Sequence, residues 1–400
     1  MNSYLELVKF EYKKILRKRS TIITLIFGIF LTAFSCAGPL MGDYYINGKV
    51  FESKYDNMEK NREYARKLSN REINGSILSE AIEAYSHIPP TDGDYEHTDE
   101  YQQYARPYEE IYAIIRRVYD IDGRKELPSI TQEKINDFYT VRQDLIESKI
   151  ENTSMSSKEK ANSINISKNV KTPFVFSYTG GYTRFYSLMQ TTALIICIIC
   201  FICISPIFAG EYTDRTDSLI FSSKYGRNKV ICAKLFTGIT FTIVLSIVLI
   251  ITSYIASMVL FGWDGGKAPI QLYWPLSIVP FTIGKVAFLY SILILVANIF
   301  SSTLTIVLSS KLKSPFIVFA VMTEFTIIPM FLSVSPDVLW IYHLINLIPV
   351  KMLNISNIIN NLSINLFGIM VQPYEFIIVF ALAASIILLP VAYRNFRNAN

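Results

Sequence analysis

Charge is scarce along this 400-residue chain. Only 18% of the residues are Asp, Glu, Lys or Arg, whereas 51% are hydrophobic and the mean hydropathy is +0.32. A soluble chain of this length would form two or three domains, each with a polar surface. The shortage of charge excludes that class and predicts a chain whose solvent is largely lipid.

Cysteine and histidine are also rare, at five and three residues. All five cysteines lie in or beside apolar runs, so the longest polar segment must fold without disulfides. Cys197, Cys200 and Cys203 have a spacing that would suggest iron–sulfur ligation in a soluble loop. Because they lie in one unbroken apolar helix, they do not converge on a point. We interpret them as small packing residues and predict no metal site.

The chain has no glycine-rich loop ending in Gly-Lys-Ser/Thr, which an ATPase needs to hold phosphates. The nearest string, at residues 262–268, is one residue too short and lacks the hydroxyl. The acidic run at residues 92–97 lacks the glycine at the sixth position and the distal bidentate Glu of an EF-hand calcium loop, so it is predicted to be a solvated acidic loop. No Ser or Cys nucleophile has a recognisable signature. The chain is predicted to bind no cofactor directly, and a membrane-embedded enzyme stays an alternative.

Apolar residues are concentrated in six segments, and only one of them contains a charge, Glu324. A helix needs roughly 20 apolar residues to cross the hydrocarbon of a bilayer. The sequence therefore predicts an all-α polytopic membrane protein with six transmembrane helices, the first of them retained rather than cleaved. The segments are residues 20–41, 187–210, 235–263, 286–310, 314–336 and 376–393.

Basic residues cluster at alternate ends of these segments. Residues 1–19 carry six Lys or Arg and two Glu, and residues 211–234 carry five bases and three acids. Residues 43–186 instead carry 20 bases and 24 acids. The positive-inside rule then places both termini in the cytoplasm and the long polar segment outside the cell membrane.

The polar segment has a helical pattern. Ile111, Ile114, Ile115 and Val118 follow the spacing of one helical face, and Ser129 with Gln132 resembles a capping box that opens the next helix. Residues 154–171 are rich in Ser, Asn and Lys and predict a mobile return linker. We expect a mainly helical extracellular domain between the first and second spans.

Two further segments are amphipathic. In the first 19 residues, Leu5, Val8, Tyr12 and Ile15 share one face opposite five basic residues, which is typical of a helix on the inner leaflet. Before the last span, Asn354, Asn357 and Asn361 share a face opposite isoleucines, which predicts an interfacial or re-entrant segment.

The predicted organisation follows from these features. It consists of a cytoplasmic amphipathic helix (1–19), transmembrane helix 1 (20–42), an extracellular helical domain (43–186), transmembrane helix 2 (187–210), a cytoplasmic coupling region (211–229), transmembrane helices 3–5 (230–336), an outer interfacial or re-entrant segment (337–373), transmembrane helix 6 (374–393) and a cytoplasmic tail (394–400).

The junction between the second and third spans carries a family resemblance. Residues 208–235 read Phe-Ala-Gly-Glu-Tyr-Thr-Asp-Arg-Thr-Asp-Ser-Leu-Ile-Phe-Ser-Ser-Lys-Tyr-Gly-Arg-Asn-Lys-Val-Ile-Cys-Ala-Lys-Leu. This stretch resembles the ABC-2 type transporter permeases, in which a Glu closes the second span, a short coupling helix follows, and a base and a Lys open the third. Glu211, Arg227 and Lys234 occupy those positions. The large first external loop is similar to that of bacterial permeases linked to drug, antimicrobial-peptide or bacteriocin export and immunity.

The resemblance implies two permease chains, identical or related, each docked to a cytoplasmic ABC ATPase that holds ATP and Mg²⁺. The implied cargo is hydrophobic or amphipathic, such as an antimicrobial peptide, a drug or a lipid-like molecule, and it moves outward. A module that senses an antimicrobial, or confers immunity with little net transport, is the alternative. Membrane lipid is the expected surrounding, and no nucleic acid is expected to bind.

Residues 211–229 are the predicted docking surface for the ATPase. Apolar side chains there can fill a groove while polar ones form a rim, and Glu211 can pair with Arg227 or Lys234 to fix the exit angle of the short helix. A solvated loop is the alternative. The residues assigned to coupling are Glu211, Arg215, Leu219, Ile220, Phe221, Lys224, Arg227 and Lys234.

Glu324 is the remaining candidate, because it lies near the middle of the fifth apolar segment, where a charge is expensive unless it faces protein or water. One interpretation is a carboxylate on the translocation path. The other is a structural side chain that hydrogen-bonds between helices.

Overall fold

The structure is a computed structural model, and it describes residues 2–46, 49–89, 95–121, 124–334, 338–360, 362–366 and 368–398. Asp92, Asp94 and Asn361, which figure in the sequence patterns above, lie outside these residues. The helices are α1 (Asn2–Leu16), α2 (Arg19–Ala37), α3 (Lys54–Leu68), α4 (Gly75–Ser86), α5 (Glu109–Tyr119), α6 (Gln132–Asn136), α7 (Phe138–Glu151), α8 (Ser157–Lys168), α9 (Gly180–Ile204), α10 (Pro206–Thr213), α11 (Asp217–Ser222), α12 (Ile231–Phe261), α13 (Ile283–Lys311), α14 (Pro315–Met330), α15 (Leu339–Ile345), α16 (Pro349–Met352), α17 (Ser356–Ile359) and α18 (Pro373–Arg397).

Two antiparallel hairpins contain the β-strands of the described residues. They pair β1 (Asp43–Ile46) with β2 (Lys49–Ser53), and β3 (Ile364–Leu366) with β4 (Ile369–Val371). The expected all-α membrane fold is confirmed, with these short strands confined to connections between helices.

Five helical segments are long and apolar enough to cross a membrane. They are Arg19–Leu40, Gly180–Thr213, Gly226–Phe261, Ile283–Lys311 and Pro373–Arg397. The predicted fifth span forms the shorter apolar helix α14, whose 16 residues extend about 24 Å at 1.5 Å per residue. That length is below the roughly 30 Å of hydrocarbon that a span must cover.

The spans form a bundle in which α9 and α13 are the most enclosed helices. The chain passes between two ends of this bundle. We call the "basic end" the one where α1, the end of α10, α11, the start of α12 and the end of α18 meet. The opposite end, where residues 43–179 join the spans, is the "insertion end".

The insertion, residues 43–179, has a hydrophobic core of its own. The predicted apolar face of α5 is confirmed, because Ile111, Ile114, Ile115 and Val118 are all buried there. Aromatic residues that precede the second span close the core from the other side, among them Phe174 and Phe176.

Two local predictions within the insertion are wrong. Residues 157–168, expected in a mobile linker, form α8, because Ser156 and Glu159 build a reciprocal capping box at its N-terminus. The helix predicted to open with a capping box at Ser129 begins later. Helix α6 begins at Gln132 after its N-cap residue Thr131, whose side chain forms no cap.

The insertion is fastened to the loop between α12 and α13. Arg142 on α7 is buried, and its guanidinium donates hydrogen bonds to the carbonyl oxygens of Pro275 at 2.6 Å and Ser277 at 2.8 Å. Burial lowers the pKa of Arg142 to about 10. An ion pair between Arg66 and Asp264, at 2.6 Å, joins the same two regions at a more exposed position.

The connection before α18 is more broken than its pattern predicted. It contains three short helices and the β3–β4 hairpin. Asn357 is buried rather than facing outward, and its amide donates to the carbonyl oxygen of Lys351 at 3.2 Å. The single amphipathic face expected there is therefore not formed, because α17 is only four residues long and turns both polar and apolar groups inward.

Candidate functional site

Four charged side chains meet at the basic end, and we call them the "charge cluster": Glu11, Lys14, Glu211 and Lys234. The ammonium of Lys234 lies 2.6 Å from a carboxylate oxygen of Glu211 and 3.0 Å from one of Glu11. Lys14 approaches Glu211 from the more exposed edge, at 2.7 Å. Helices α1, α10 and α12 are thereby joined at one point.

The charge cluster is electrically balanced, and three of its four members are buried. Lys234 is 1% exposed, and Glu211 and Glu11 are 5% and 6% exposed. The fourth member, Lys14, has a side chain that is 39% exposed and supplies the second cation from the edge, so the four charges sum to zero. Removing one member of such a group leaves an uncompensated buried charge, which costs about 3–5 kcal/mol. The cluster therefore fixes how α1 and the second and third spans sit relative to one another.

The chain turns sharply after the second span. Arg215 has a φ of +54°, in the left-handed region that usually favours glycine. The amide of Thr216 donates to the carbonyl oxygen of Glu211 at 2.9 Å, and the Thr216 hydroxyl donates to the Glu211 carboxylate. Glu211 thus lies in the last turn of the span, holds Lys234 and orients the start of α11.

Helix α11 contains three consecutive apolar residues, Leu219, Ile220 and Phe221, and presents only part of this triplet to solvent. Leu219 is 69% exposed. Ile220 and Phe221 instead turn back and pack against the bundle, where the Phe221 ring lies 5.1 Å from that of Phe396 on α18. The expectation that all three residues face outward is therefore corrected, since two of them anchor the helix.

Arg227 does not pair with Glu211. Its guanidinium lies 4.6 Å above the Phe221 ring and donates a hydrogen bond to the carbonyl oxygen of Arg397 at 2.7 Å. Of the two partners predicted for Glu211, only Lys234 contacts it. Arg227 instead connects α11 to the end of the last span.

Gly226 lets the chain fold back under α11. A Cβ atom at this position would lie 1.6 Å from the carbonyl oxygen of Ile220, which no side chain can tolerate. The contact brings the π-helical turn Gly226–Val230 against the last turn of α11. Lys224 remains exposed on the solvent side, as does Arg215.

Three members of this arrangement were missed from the sequence: Glu11, Lys14 and Phe396. Glu11 carried a usable signal, because it lies on the same helical face as Val8 and Ile15, where an acid among apolar residues needs a buried partner. Lys14 and Phe396 carried none, since each meets its partner only after the spans have assembled.

The three span-2 cysteines face different helices. Cys197 lies 3.1 Å from the Asn298 amide oxygen, Cys200 lies 3.6 Å from Thr242, and Cys203 lies 3.9 Å from Thr21. They thus serve contacts with α13, α12 and α2 respectively. Within the described residues, no group of three metal-ligating side chains converges on a point.

The glycines at residues 262–266 shape a turn at the insertion end. Gly262 ends the third span with a φ of +109°, and a Cβ atom on Gly265 would lie 2.4 Å from the carbonyl oxygen of Tyr178. These glycines allow the loop to pack against the start of the second span.

Glu324 points away from the rest of its chain. It is exposed on α14 beside exposed Val321 and Phe325, and it forms no hydrogen bond or ion pair with any described residue. The interpretation as a hydrogen-bonding group between helices of one chain is therefore not supported. Whatever faces its carboxylate lies outside the described residues.

The family model described as "ABC-2 family transporter protein" matches residues 5–398. No curated protein and no solved structure matches the chain.

Proposed function

The chain belongs to the ABC-2 family of transporter proteins and is a transmembrane subunit of an ABC transporter that associates with a cytoplasmic ABC ATPase, and from this premise we propose that it exports a hydrophobic or amphipathic molecule. Two permease chains form the pathway, and each is driven by an ATPase docked at its basic end. The positive-inside rule supports the orientation, because residues 1–19 and 211–234 carry an excess of bases.

The exposure of Leu219 is the observation that supports docking of the ATPase at the basic end. An apolar side chain that is 69% exposed on a short helix, with Arg215 and Lys224 near it, has the composition of a docking site with an apolar centre and a polar rim. The same helix is anchored on its other side by Phe221. A displacement of Leu219 would therefore be transmitted to α18 through Phe396. The charge cluster would transmit the same displacement to α1, α10 and α12.

Glu324 supports the pairing of two permease chains. A carboxylate exposed on an apolar helix is costly against lipid, whereas a second chain or a water-filled path can solvate it. We propose that α14 faces such a surface.

The test of docking is Leu219→Asp, compared with Ser222→Asp as the matched control. Both positions are exposed on α11, and both variants gain the same charge, but only the first loses the apolar centre. We expect both variants to insert and to elute like the parent on gel filtration. Leu219→Asp should lose the co-purifying ATPase and ATP-dependent transport, while Ser222→Asp retains both.

Equal co-purification of the two variants would show that Leu219 is not the docking centre. Phe221→Asp is a poorer test, because it would place a carboxylate against Phe396 and disturb the bundle itself.

A further inference from the structure

A cavity of about 670 Å³ lies between α7 and α8 of the insertion, the loop between the third and fourth spans, and the connection before α18. This volume is within the range of roughly 300–1,000 Å³ found for small-molecule sites. Most of its wall is apolar, and Trp274 adds an aromatic surface. The aliphatic part of the wall is formed by Ile146, Ile150, Met155, Leu276, Ile278 and Leu362.

Two cations at the edge of the cavity are uncompensated. Arg117 and Lys149 both line it, both are exposed, and neither forms an ion pair within the described part of the chain. The acids beside Lys149 on α7 are engaged elsewhere, because Glu147 pairs with Lys168 at 3.9 Å and Glu151 pairs with Lys160 at 3.4 Å. An excess of positive charge therefore remains beside an apolar cavity.

Ser163 adds an unused polar group. It lines the cavity and is 0% exposed, yet its hydroxyl has no hydrogen-bond partner among the residues that the structure describes. A helical serine can donate to the carbonyl four residues earlier, but this one does not. A buried hydroxyl without a partner costs free energy, which a ligand with a polar group could recover.

We propose that this cavity binds an anionic amphiphile. Its apolar body would occupy the aliphatic wall, its carboxylate or phosphate would pair with Arg117 and Lys149, and a polar atom near that group would bond Ser163. The wall of the cavity also includes Pro275 and Ser277, whose carbonyl oxygens accept hydrogen bonds from Arg142. A bound ligand would therefore affect the contact between the insertion and the spans. This recognition site goes beyond the proposed export and requires no ATPase.

The experiment uses the full chain in nanodiscs of phosphatidylcholine, with a diazirine-bearing fatty acid as the photoreactive probe. Labelled peptides are mapped by mass spectrometry. We expect label within residues 146–155 and 273–278, displaced by palmitate but not by hexadecyltrimethylammonium. Equal displacement by the cation would overturn the proposal, because the charges at the edge would then play no part.

Two variants sharpen the test. Arg117→Glu with Lys149→Glu should weaken the apparent affinity about tenfold, whereas Lys158→Glu, an exposed lysine of α8 outside the cavity, should not change it. Ser163→Ala should leave thermal stability unchanged or higher, since it removes an unsatisfied group, and should still weaken labelling. Unchanged labelling in both cavity variants would contradict the assignment.

The source of the ligand is decided by competition. If phosphatidylglycerol added to the nanodisc displaces the probe, the natural occupant is an anionic lipid of the bilayer. If only dissolved fatty acid displaces it, the occupant arrives from water. Both results support the chemical class, and displacement by neither would overturn it.

Discussion

The two ends of the span bundle are held by different chemistry. At the basic end, Lys234 lies between the carboxylates of Glu11 and Glu211. At the insertion end, Arg142 is equally buried, but it donates to two backbone carbonyl oxygens and forms no ion pair with a described carboxylate. At the basic end the buried charges are paired with each other, whereas at the insertion end the buried cation is solvated by dipoles and the ion pair between Arg66 and Asp264 lies at an exposed position.

The difference predicts how each end should respond to the loss of one charged side chain. A balanced cluster cannot lose one member without leaving an unpaired charge in a buried place. When carbonyl oxygens lose the cation that they bind, each acceptor loses one hydrogen bond, and this costs less free energy than an unpaired buried charge. The helices of the basic end should therefore stay together or separate in one step, which suits a region that transmits force. The contacts of the insertion end should be lost one at a time.

The strongest way to break the comparison is Lys234→Met. The change leaves Glu11 and Glu211 with only the exposed Lys14, so we expect a loss of about 3–5 kcal/mol and little folded protein in the membrane. The measurement is the yield and thermal stability of the monodisperse fraction on gel filtration. Glu211→Gln added to Lys234→Met restores charge balance and should recover part of that loss. If Lys234→Met were as stable as the parent, the cluster would not join these helices.

This cluster marks the limit of what could be predicted from the sequence. Glu211 and Lys234 could be assigned because they occupy the positions that the family resemblance gives to a Glu and a Lys at the ends of the second and third spans. The spans could be predicted because lipid requires long apolar helices. The roles of Phe221 and Arg227 were not, since α11 is too short for its periodicity to show which side faces the bundle. Only assembly of α18 beside it, with Phe396 at the contact, decides that.

The insertion shows the same limit at local scale. The apolar face of α5 could be predicted, because four residues at helical spacing must be buried together. Helix α8 could not be recognised from composition, because Ser, Asn and Lys are common in linkers. Its Ser156–Glu159 capping box was the overlooked signal.

The second prediction tests the insertion end with Arg142→Met. This variant removes a costly buried cation and leaves the carbonyl oxygens of Pro275 and Ser277 without that donor, so we expect a loss of about 1–3 kcal/mol. Hydrogen exchange of residues 273–279 should accelerate while the exchange of α12 stays unchanged. Lys158→Met, at an exposed position of the same insertion outside the cavity, is the control and should change neither. A loss of folded protein as large as that expected for Lys234→Met would contradict the proposed difference between the two ends.

The smallest expected effect concerns a carboxylate of the insertion that has no basic partner among the described residues. Burial first, and the neighbouring Glu109 carboxylate second, raise the pKa of Glu110 from 4.5 to about 7. The folded state then holds a proton that the unfolded chain has already released, so the stabilising contribution is full below about pH 4.5 and is lost as the pH rises through about 7. Because Glu110 is only half-buried, we expect a loss of about 1 kcal/mol between pH 5 and pH 8. Protection factors of the α5 amides, measured by hydrogen exchange in the full chain, should fall over that interval. The same factors should stay level in Glu110→Gln, whose amide cannot titrate. If the parent and Glu110→Gln showed the same pH dependence, the titrating group would be another one, and Glu110 would not be the unpaired acid that contrasts with the balanced charges of the basic end.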